Sequence, residues 1–183
     1  MEQFLAKLSD FSHSEKEKCL SLMEKERREY VLSIRNEKRK NECICGEWLL
    51  KTAAAKSLNL RAQDIVIARS ERGKPYLKGQ GLFISLSHSG NFLAAVTHQS
   101  PVGIDIEIIR DIDSRIEKKL YTENDLETAK NSNDSLILLK IWTAKEAYFK
   151  MLGTGITDLK GINYKDINAT HSVKDGLLIT VVE

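Results

Sequence analysis

The 183-residue sequence has few cysteines and no long apolar run. Its cysteines are Cys19, Cys43 and Cys45, and no cluster of cysteine and histidine with the spacing of a zinc site accompanies them. The longest apolar runs, residues 136–139 and 177–182, are far too short to span a bilayer. Residues 1–10 lack the apolar segment and cleavage site of a signal peptide. We therefore expect free thiols in a protein of the reducing cytoplasm.

Several sequence signatures are also missing, and charge is nearly balanced. The net charge of +2 argues against a protein that mainly coats nucleic acid. The chain has no Walker A loop, no G-x-G-x-x-G and no G-x-S-x-G. These absences exclude a P-loop NTPase, a dinucleotide-binding Rossmann protein and a hydrolase with a nucleophile elbow. A hydrophobic content of 42% and a charged content of 30% are typical of a globular protein.

Residues 102–108 have the alternation of a strand with two different faces. Ile104 and Ile106 point to one side, and Asp105 and Glu107 share the other. Two adjacent carboxylates repel each other unless a proton, a basic residue or a metal neutralises them. Mg²⁺ suits such a pair because it prefers oxygen ligands. The alternative is a polar strand face in water.

Residues 142–150 form a strongly helical stretch that supplies further candidates. Glu146 and Lys150 are four residues apart and share a helix face. They could be a third carboxylate for a metal and a lysine for a phosphate, or only a surface ion pair.

Basic and polar residues in the first half could bind the phosphates of a substrate. A basic run at residues 35–40 includes Arg39, and it is either a phosphate site or a solvated helix start. Lys74 lies between Gly73 and Pro75 on a turn that we expect to be rigid. The sequence Ser87-His88-Ser89-Gly90 predicts a polar turn that offers hydroxyls, backbone N–H groups and an imidazole to an anion, although a lone turn histidine is usually a surface residue.

The pattern of elements predicts the α+β class, with halves at residues 1–100 and 101–183. Predicted helices cover residues 14–30, a segment after residue 40, 111–119, 122–130 and 135–152. Predicted strands cover residues 65–68, 83–87, 91–97 and 102–108, with two or three more in the tail that ends at residue 182. The acids and cations together favour metal-dependent chemistry on a phosphate or pyrophosphate.

Four motifs in order, over about residues 35–155, resemble the 4′-phosphopantetheinyl transferase superfamily. They are Gly73-Lys74-Pro75, Phe83-x-x-x-Ser87-His88-Ser89, Gly103-Ile104-Asp105-Ile106-Glu107 and Trp142-Thr143-x-Lys145-Glu146-Ala147-x-x-Lys150. The first two are similar to those of the larger, surfactin-synthetase-activating type. That resemblance implies a monomer of two similar α+β halves packed as a pseudo-dimer.

The resemblance also implies a reaction and roles for residues. The substrates would be coenzyme A and an apo acyl or peptidyl carrier protein, the product adenosine 3′,5′-bisphosphate, and neither nucleic acid nor membrane would take part. Residues 101–183 would carry the metal site and the catalytic helix, and residues 1–100 would bind the CoA nucleotide. Asp105, Glu107 and Glu146 would hold Mg²⁺, with Glu146, directly or through water, as base for the carrier serine and Lys150 steadying the pyrophosphate. The nucleotide would contact Arg39, Lys74, Pro75, Ser87 and His88.

The sequence departs from the family pattern in two places and leaves alternatives open. Glu42 falls near a position where the family often has arginine, and the chain is short after Lys150. We expect residues 116–126, with Lys118, Lys119, Leu120 and Tyr121, to dock the carrier, the alternative being an ordinary surface helix. Competing functions are an inactive module that binds CoA or the carrier and a metal-dependent nuclease.

Overall fold

The computed structural model describes residues 1–112, 117, 120–155 and 158–183, and within them the chain forms five helices and eight strands. The first half contains β1 (Glu2–Lys7), α1 (His13–Ser21), α2 (Lys25–Ser33), α3 (Glu37–Leu58), β2 (Ile67–Arg69), β3 (Pro75–Leu77), β4 (Phe83–Ser89) and β5 (Phe92–His98). The second half contains β6 (Gly103–Ile108), α4 (Glu123–Lys130), α5 (Ile137–Leu152), β7 (Ala169–Lys174) and β8 (Leu177–Val182). Short 3₁₀ turns lie at Leu8–Asp10, Ala62–Asp64 and Tyr164–Asp166.

The two halves repeat one topology. Their antiparallel sheets have the orders β1-β5-β4 and β6-β8-β7. In each half an edge strand comes first, a long helix follows, and a hairpin then returns its last strand to the centre of the sheet. The first half adds the small β2-β3 pair. The predicted α+β class with two similar halves packed as a pseudo-dimer is confirmed, although no repeat is visible in the amino-acid sequence.

Each half forms its core between its long helix and its sheet. Helix α3 begins at the cap Asn36, whose side chain accepts a hydrogen bond from the Arg39 N–H, and ends at Asn59 in the left-handed conformation. In the second half, α5 lies so close to β6 that a Cβ atom on Gly103 would be 1.9 Å from the carbonyl oxygen of Ala147. This close approach explains the glycine at the start of the acidic strand.

Three serines of β4 join the two halves along β6. The hydroxyls of Ser85, Ser87 and Ser89 accept hydrogen bonds from the backbone N–H groups of Ile104, Ile106 and Ile108, each at 3.2 Å. Alternate residues of a strand lie on one face, so a single face of β4 supplies all three acceptors. The ladder, which we call the serine ladder, fixes the register of β4 against the acidic strand.

The structure corrects several predictions in the first half. The first helix begins at the cap Ser12, whose backbone N–H bonds to the Glu15 carboxylate, and two helices replace the single predicted helix of residues 14–30. Strand β1 was missed because its partner β5 is distant in sequence. The segment from Ser87 to Ser89 is not a turn but the end of β4, since the serine ladder holds it extended.

Other predictions are confirmed. The acidic strand, the helix capped by Thr122, the long helix α5 and two tail strands are present. The predicted helix at 111–119 falls largely outside the described residues, which omit 113–116 and 118–119. The three cysteines are free and buried. In the described part of the chain, no helix is long and apolar enough to cross a membrane.

Candidate active site

Asp105 is the centre of the site and receives groups from both halves. Its side chain is 2% exposed, and its Oδ1 atom accepts hydrogen bonds from the Ser87 hydroxyl at 2.7 Å and from Lys150 Nζ at 2.6 Å. Lys150 Nζ also lies 2.8 Å from Ser87 Oγ. The second carboxylate oxygen, Oδ2, is buried without a hydrogen-bond partner. A buried carboxylate oxygen without a partner is costly, which indicates that a cation or proton donor belongs beside it.

Glu107, two residues along the same strand, shares this environment. Its carboxylate accepts a hydrogen bond from the Ser89 hydroxyl at 2.8 Å. Burial, with the neighbouring Asp105 carboxylate as a smaller contribution, raises the pKa of Glu107. The predicted strand face with two neighbouring carboxylates is therefore present, and each of the two acids is held by its own serine.

Glu146 reaches the same cleft from α5. Its Oε1 atom accepts a hydrogen bond from the indole N–H of Trp142 at 2.7 Å, one helical turn earlier. Burial, followed by the charge of Asp105, raises the pKa of Glu146 to about 7. A carboxyl group poised near neutral pH can take up a proton from a hydroxyl group during a reaction.

The three acids have the chemistry of a site for a hard divalent cation. They supply oxygen ligands, and the Oδ2 atom of Asp105 has no partner. Burial, with the charge of Asp105 as a smaller cause, raises the pKa values of Glu107 and Glu146, and a bound cation would favour their charged forms. Across residues 1–112, 117, 120–155 and 158–183, however, no three acid, cysteine or histidine side chains have the arrangement of a preformed metal centre. The metal site thus remains a prediction.

A cleft of about 420 Å³ runs from these acids to a group of arginines. Glu47, which is 1% exposed, lies at the arginine end of the cleft. Its Oε2 atom accepts hydrogen bonds from Arg27 Nε at 3.2 Å and from Arg69. A neighbouring cavity of about 790 Å³ shares Arg27 and Arg69 with the cleft. Arg72 and Lys78 line that cavity as well.

No local pattern in the sequence indicates that Arg27, Arg69 and Glu47 lie together. Arg27 and Arg69 are 20 and 22 residues from Glu47, and the three come from α2, β2 and α3. The predicted Arg39 does line the cleft, where its guanidinium contacts His88 Nε2 at 2.9 Å. His88, also predicted, is half-exposed, and burial lowers its pKa.

Two predicted nucleotide contacts have other partners. The amine of Lys74 donates to the carbonyl of Met151 near the end of α5, and burial lowers its pKa. The Ser87 hydroxyl is engaged with Asp105, Lys150 and the backbone of β6, so it is not free for a nucleotide. Pro75 lines the cleft as expected.

An apolar cavity of about 200 Å³ lies beside Lys74 and Lys150, between the two halves. Phe149, Ile84 and Leu86 form part of its wall.

Lys145, next to Glu146 in the predicted motif, is fully buried and does not face the cleft. Its amine donates to Asp125 at 2.5 Å and to the carbonyls of Leu120 and Leu159. Tyr121, predicted to dock a carrier, is 2% exposed and donates to the carbonyl of Leu138, so that prediction was wrong. Ile116, Lys118 and Lys119 of the proposed docking surface lie outside the described residues.

Comparison with known proteins finds relatives for both halves of the chain. Residues 101–180 match the family model described as the 4′-phosphopantetheinyl transferase superfamily, and residues 10–100 match the model for the N-terminal part of 4′-phosphopantetheinyl transferases. Among curated relatives, the 4′-phosphopantetheinyl transferase gsp of Aneurinibacillus migulanus is 28% identical over 84% of this chain and 65% of its own length. The 4′-phosphopantetheinyl transferase Sfp of Bacillus subtilis is 25% identical over 80% of this chain and 67% of its own length.

The chain thus spans about two thirds of the length of these relatives. A solved holo-(acyl-carrier-protein) synthase from Bacillus anthracis, in complex with CoA (3′,5′-ADP), aligns with a TM-score of 0.41 and 22% identity over 52% of this chain and 90% of that one. The two family models together cover nearly all of the sequence, one on each half. The chain belongs to the 4′-phosphopantetheinyl transferase superfamily.

Proposed function

We propose that the protein transfers the 4′-phosphopantetheine arm of coenzyme A to a serine of an apo carrier protein and releases adenosine 3′,5′-bisphosphate. One observation carries the proposal: a single cleft has three carboxylates and a lysine at one end and several arginines at the other. Coenzyme A has a pyrophosphate that a metal ion can bridge and a separate 3′-phosphate. The acidic end suits the pyrophosphate with its metal, and the basic end suits the 3′-phosphate.

Asp105, Glu107 and Glu146 would hold Mg²⁺, which when bound would neutralise charge on the pyrophosphate and polarise it. The carrier serine oxygen attacks the phosphorus that bears the pantetheine, and the bond from that phosphorus to the bridging oxygen breaks. Glu146 takes the serine proton, directly or through a water. Lys150, which is held beside Asp105, contacts the pyrophosphate and stabilises the negative charge on the departing nucleotide.

The two halves would have separate roles in binding and in catalysis. Residues 1–100 would bind the nucleotide through Arg39 and His88, together with Arg27 and Arg69, and residues 101–183 would hold the metal and carry the catalytic helix.

The chain would act as a monomer, since the pseudo-dimer already supplies both halves, and light scattering checks this. We place the reaction in the cytoplasm, where the thiols of Cys19, Cys43 and Cys45 would stay reduced.

A carrier-modification assay tests the proposal. An apo acyl carrier protein is incubated with this protein, CoA and Mg²⁺, and its intact mass is measured beside a sample with EDTA. The proposal predicts a gain of one phosphopantetheine arm that EDTA abolishes. Bound CoA without any gain on several carriers would favour the inactive binding module, and degradation of DNA or RNA with no CoA binding would favour the nuclease.

A further inference from the structure

Glu42 places a carboxylate in the part of the cleft that the proposed function assigns to an anionic nucleotide. It is only 8% exposed and lines the cleft beside Arg39 and His88. A buried negative charge in a site for phosphates opposes the binding of those phosphates. Its presence therefore needs a role other than direct contact with the substrate.

The negative charge of Glu42 offsets the positive charge of Arg39 in this part of the cleft. Arg39 Nη1 donates to Glu42 Oε2 at 3.1 Å and contacts His88 Nε2 at 2.9 Å. Because a guanidinium can only donate, His88 Nε2 accepts and the imidazole is neutral. Arg39 and Glu42 then sum to zero charge, and the neutral His88 adds none.

Glu47, in the same cleft, pairs with two arginines where Glu42 pairs with one. Its carboxylate contacts two arginines, Arg27 and Arg69, so that cluster keeps one net positive charge. Glu47 is also fully buried, and it orients both guanidinium groups. The Glu47 carboxylate thus lies in a cluster whose net positive charge attracts anions. The Glu42 carboxylate instead neutralises Arg39, the only arginine in the described part of the chain that contacts His88.

We propose that Glu42 lowers the affinity of the cleft for the nucleotide, and thereby for the product adenosine 3′,5′-bisphosphate. The inference rests on the proposed function, since it takes that nucleotide as the ligand. The product carries all its negative charge on its two phosphates, so the charge of the cleft affects its affinity. A lower affinity for the product favours its release after each transfer.

Calorimetry with adenosine 3′,5′-bisphosphate on the full chain tests this. Glu42→Gln keeps the size and polarity of the side chain and removes its charge, so we expect the Kd of the product to fall about three- to tenfold at low salt. The gain should shrink as ionic strength rises, because salt screens the interaction. Glu37→Gln is the matched control, because Glu37 is an exposed acid on the same helix and pairs with Lys40. The Kd of the product for this variant should equal that for the wild type.

An equal or higher Kd in Glu42→Gln would overturn the inference and would show that Glu42 serves to hold Arg39 in place. General damage to the fold does not tighten binding, so a lower Kd separates the inference from a merely structural role. Glu42→Ala is judged by the same criterion if the glutamine variant is unfolded by circular dichroism. A wild-type protein that binds neither CoA nor the product would instead refute the proposed function.

Discussion

Lys150 Nζ lies 2.6 Å from Asp105 Oδ1, and both atoms contact the hydroxyl of Ser87, which comes from the other half of the molecule. The lysine and the aspartate are 45 residues apart, and α5 and β6 bring them together. The serine belongs to the ladder that joins the two sheets. The position of the central acid therefore depends on how the halves are joined.

The serine ladder allows a matched test of this dependence. Ser87→Ala removes both a backbone contact and the donor to Asp105, so we expect the transfer rate to fall about 10- to 100-fold. Ser85→Ala removes the equivalent backbone contact to Ile104 but touches no acid. Ser85→Ala should lose about 1 kcal/mol of unfolding free energy, and Ser87→Ala about 2–3 kcal/mol because Ser87 also donates to a buried carboxylate. Steady-state kinetics should separate them, and equal rates for the two variants would mean that Ser87 acts only through folding.

Trp142 supports Glu146 with one hydrogen bond, and that bond lowers the pKa of the carboxyl against the effects of burial and charge. Trp142→Phe removes the donor and keeps an aromatic ring. The pKa of Glu146 should rise further, so less of it is ionised at neutral pH and the transfer rate should fall. Because the lost activity reflects protonation, it should recover as the pH is raised. A pH–rate profile identical to that of the wild type would contradict the role of Trp142, and Trp48→Phe serves as the control away from the cleft.

Lys145 of α5 and Asp125 of α4 form a fully buried ion pair. Burial alone would raise the pKa of Asp125, but the hydrogen bonds from Lys145, Tyr164 and Thr122 outweigh it and lower the pKa. Lys145→Met leaves the carboxylate uncompensated and should cost about 3–5 kcal/mol of unfolding free energy. The double variant Lys145→Met/Asp125→Asn should regain part of that loss. Urea unfolding measures both, and a loss below about 1 kcal/mol in the single variant would show that the pair is not required.

His171 should make stability depend on pH. It bonds to Tyr164 and Thr180, and burial, with nearby Lys140 as a smaller contribution, lowers its pKa to about 4. Between the ordinary histidine pKa of about 6.5 and this value, the unfolded chain binds a proton that the folded chain does not. The stabilisation is therefore complete above about pH 6.5 and is lost as the pH falls toward 4.

The variant His171→Gln should show a smaller fall in Tm than the wild type between pH 7 and pH 4.5. Differential scanning calorimetry at both values gives the comparison. Acids such as Asp125 lose their own stabilisation at lower pH in both proteins, so only the difference between the two reports on His171. Parallel curves would contradict the assignment.

The predicted site residues that the structure brings together in the cleft are those whose signal is local. Asp105 and Glu107 follow from the alternation of one strand, and Glu146 and Lys150 from the spacing of one helix. The same local reasoning placed a turn at Ser87 and His88, because it could not show that β6 lies alongside and donates hydrogen bonds to the serine hydroxyls. The pairing of β1 with β5 was missed for the same reason.

Roles that depend on long side chains were harder to predict. Lys74 is predicted to contact a nucleotide, and that contact remains a prediction, while the structure adds a hydrogen bond from its amine to a carbonyl group near the end of α5. Arg69 shares one carboxylate with Arg27 from another element, and nothing in the sequence near either arginine indicates the pair. Such contacts follow from the packing of α2, α3 and β2 and not from any short pattern.

The proposed chemistry is tested most directly by counting products in one reaction. Apo carrier protein, CoA and Mg²⁺ are incubated with the wild type and with Glu146→Gln, whose amide can still accept the Trp142 hydrogen bond, and modified carrier and adenosine 3′,5′-bisphosphate are both quantified. The wild type should form the two products in equal amounts, with none from a carrier whose serine is replaced by alanine, and Glu146→Gln should be slower by about 100-fold or more. Nucleotide release without carrier modification, or a variant as fast as the wild type, would contradict the assignment of this cleft as the site of transfer.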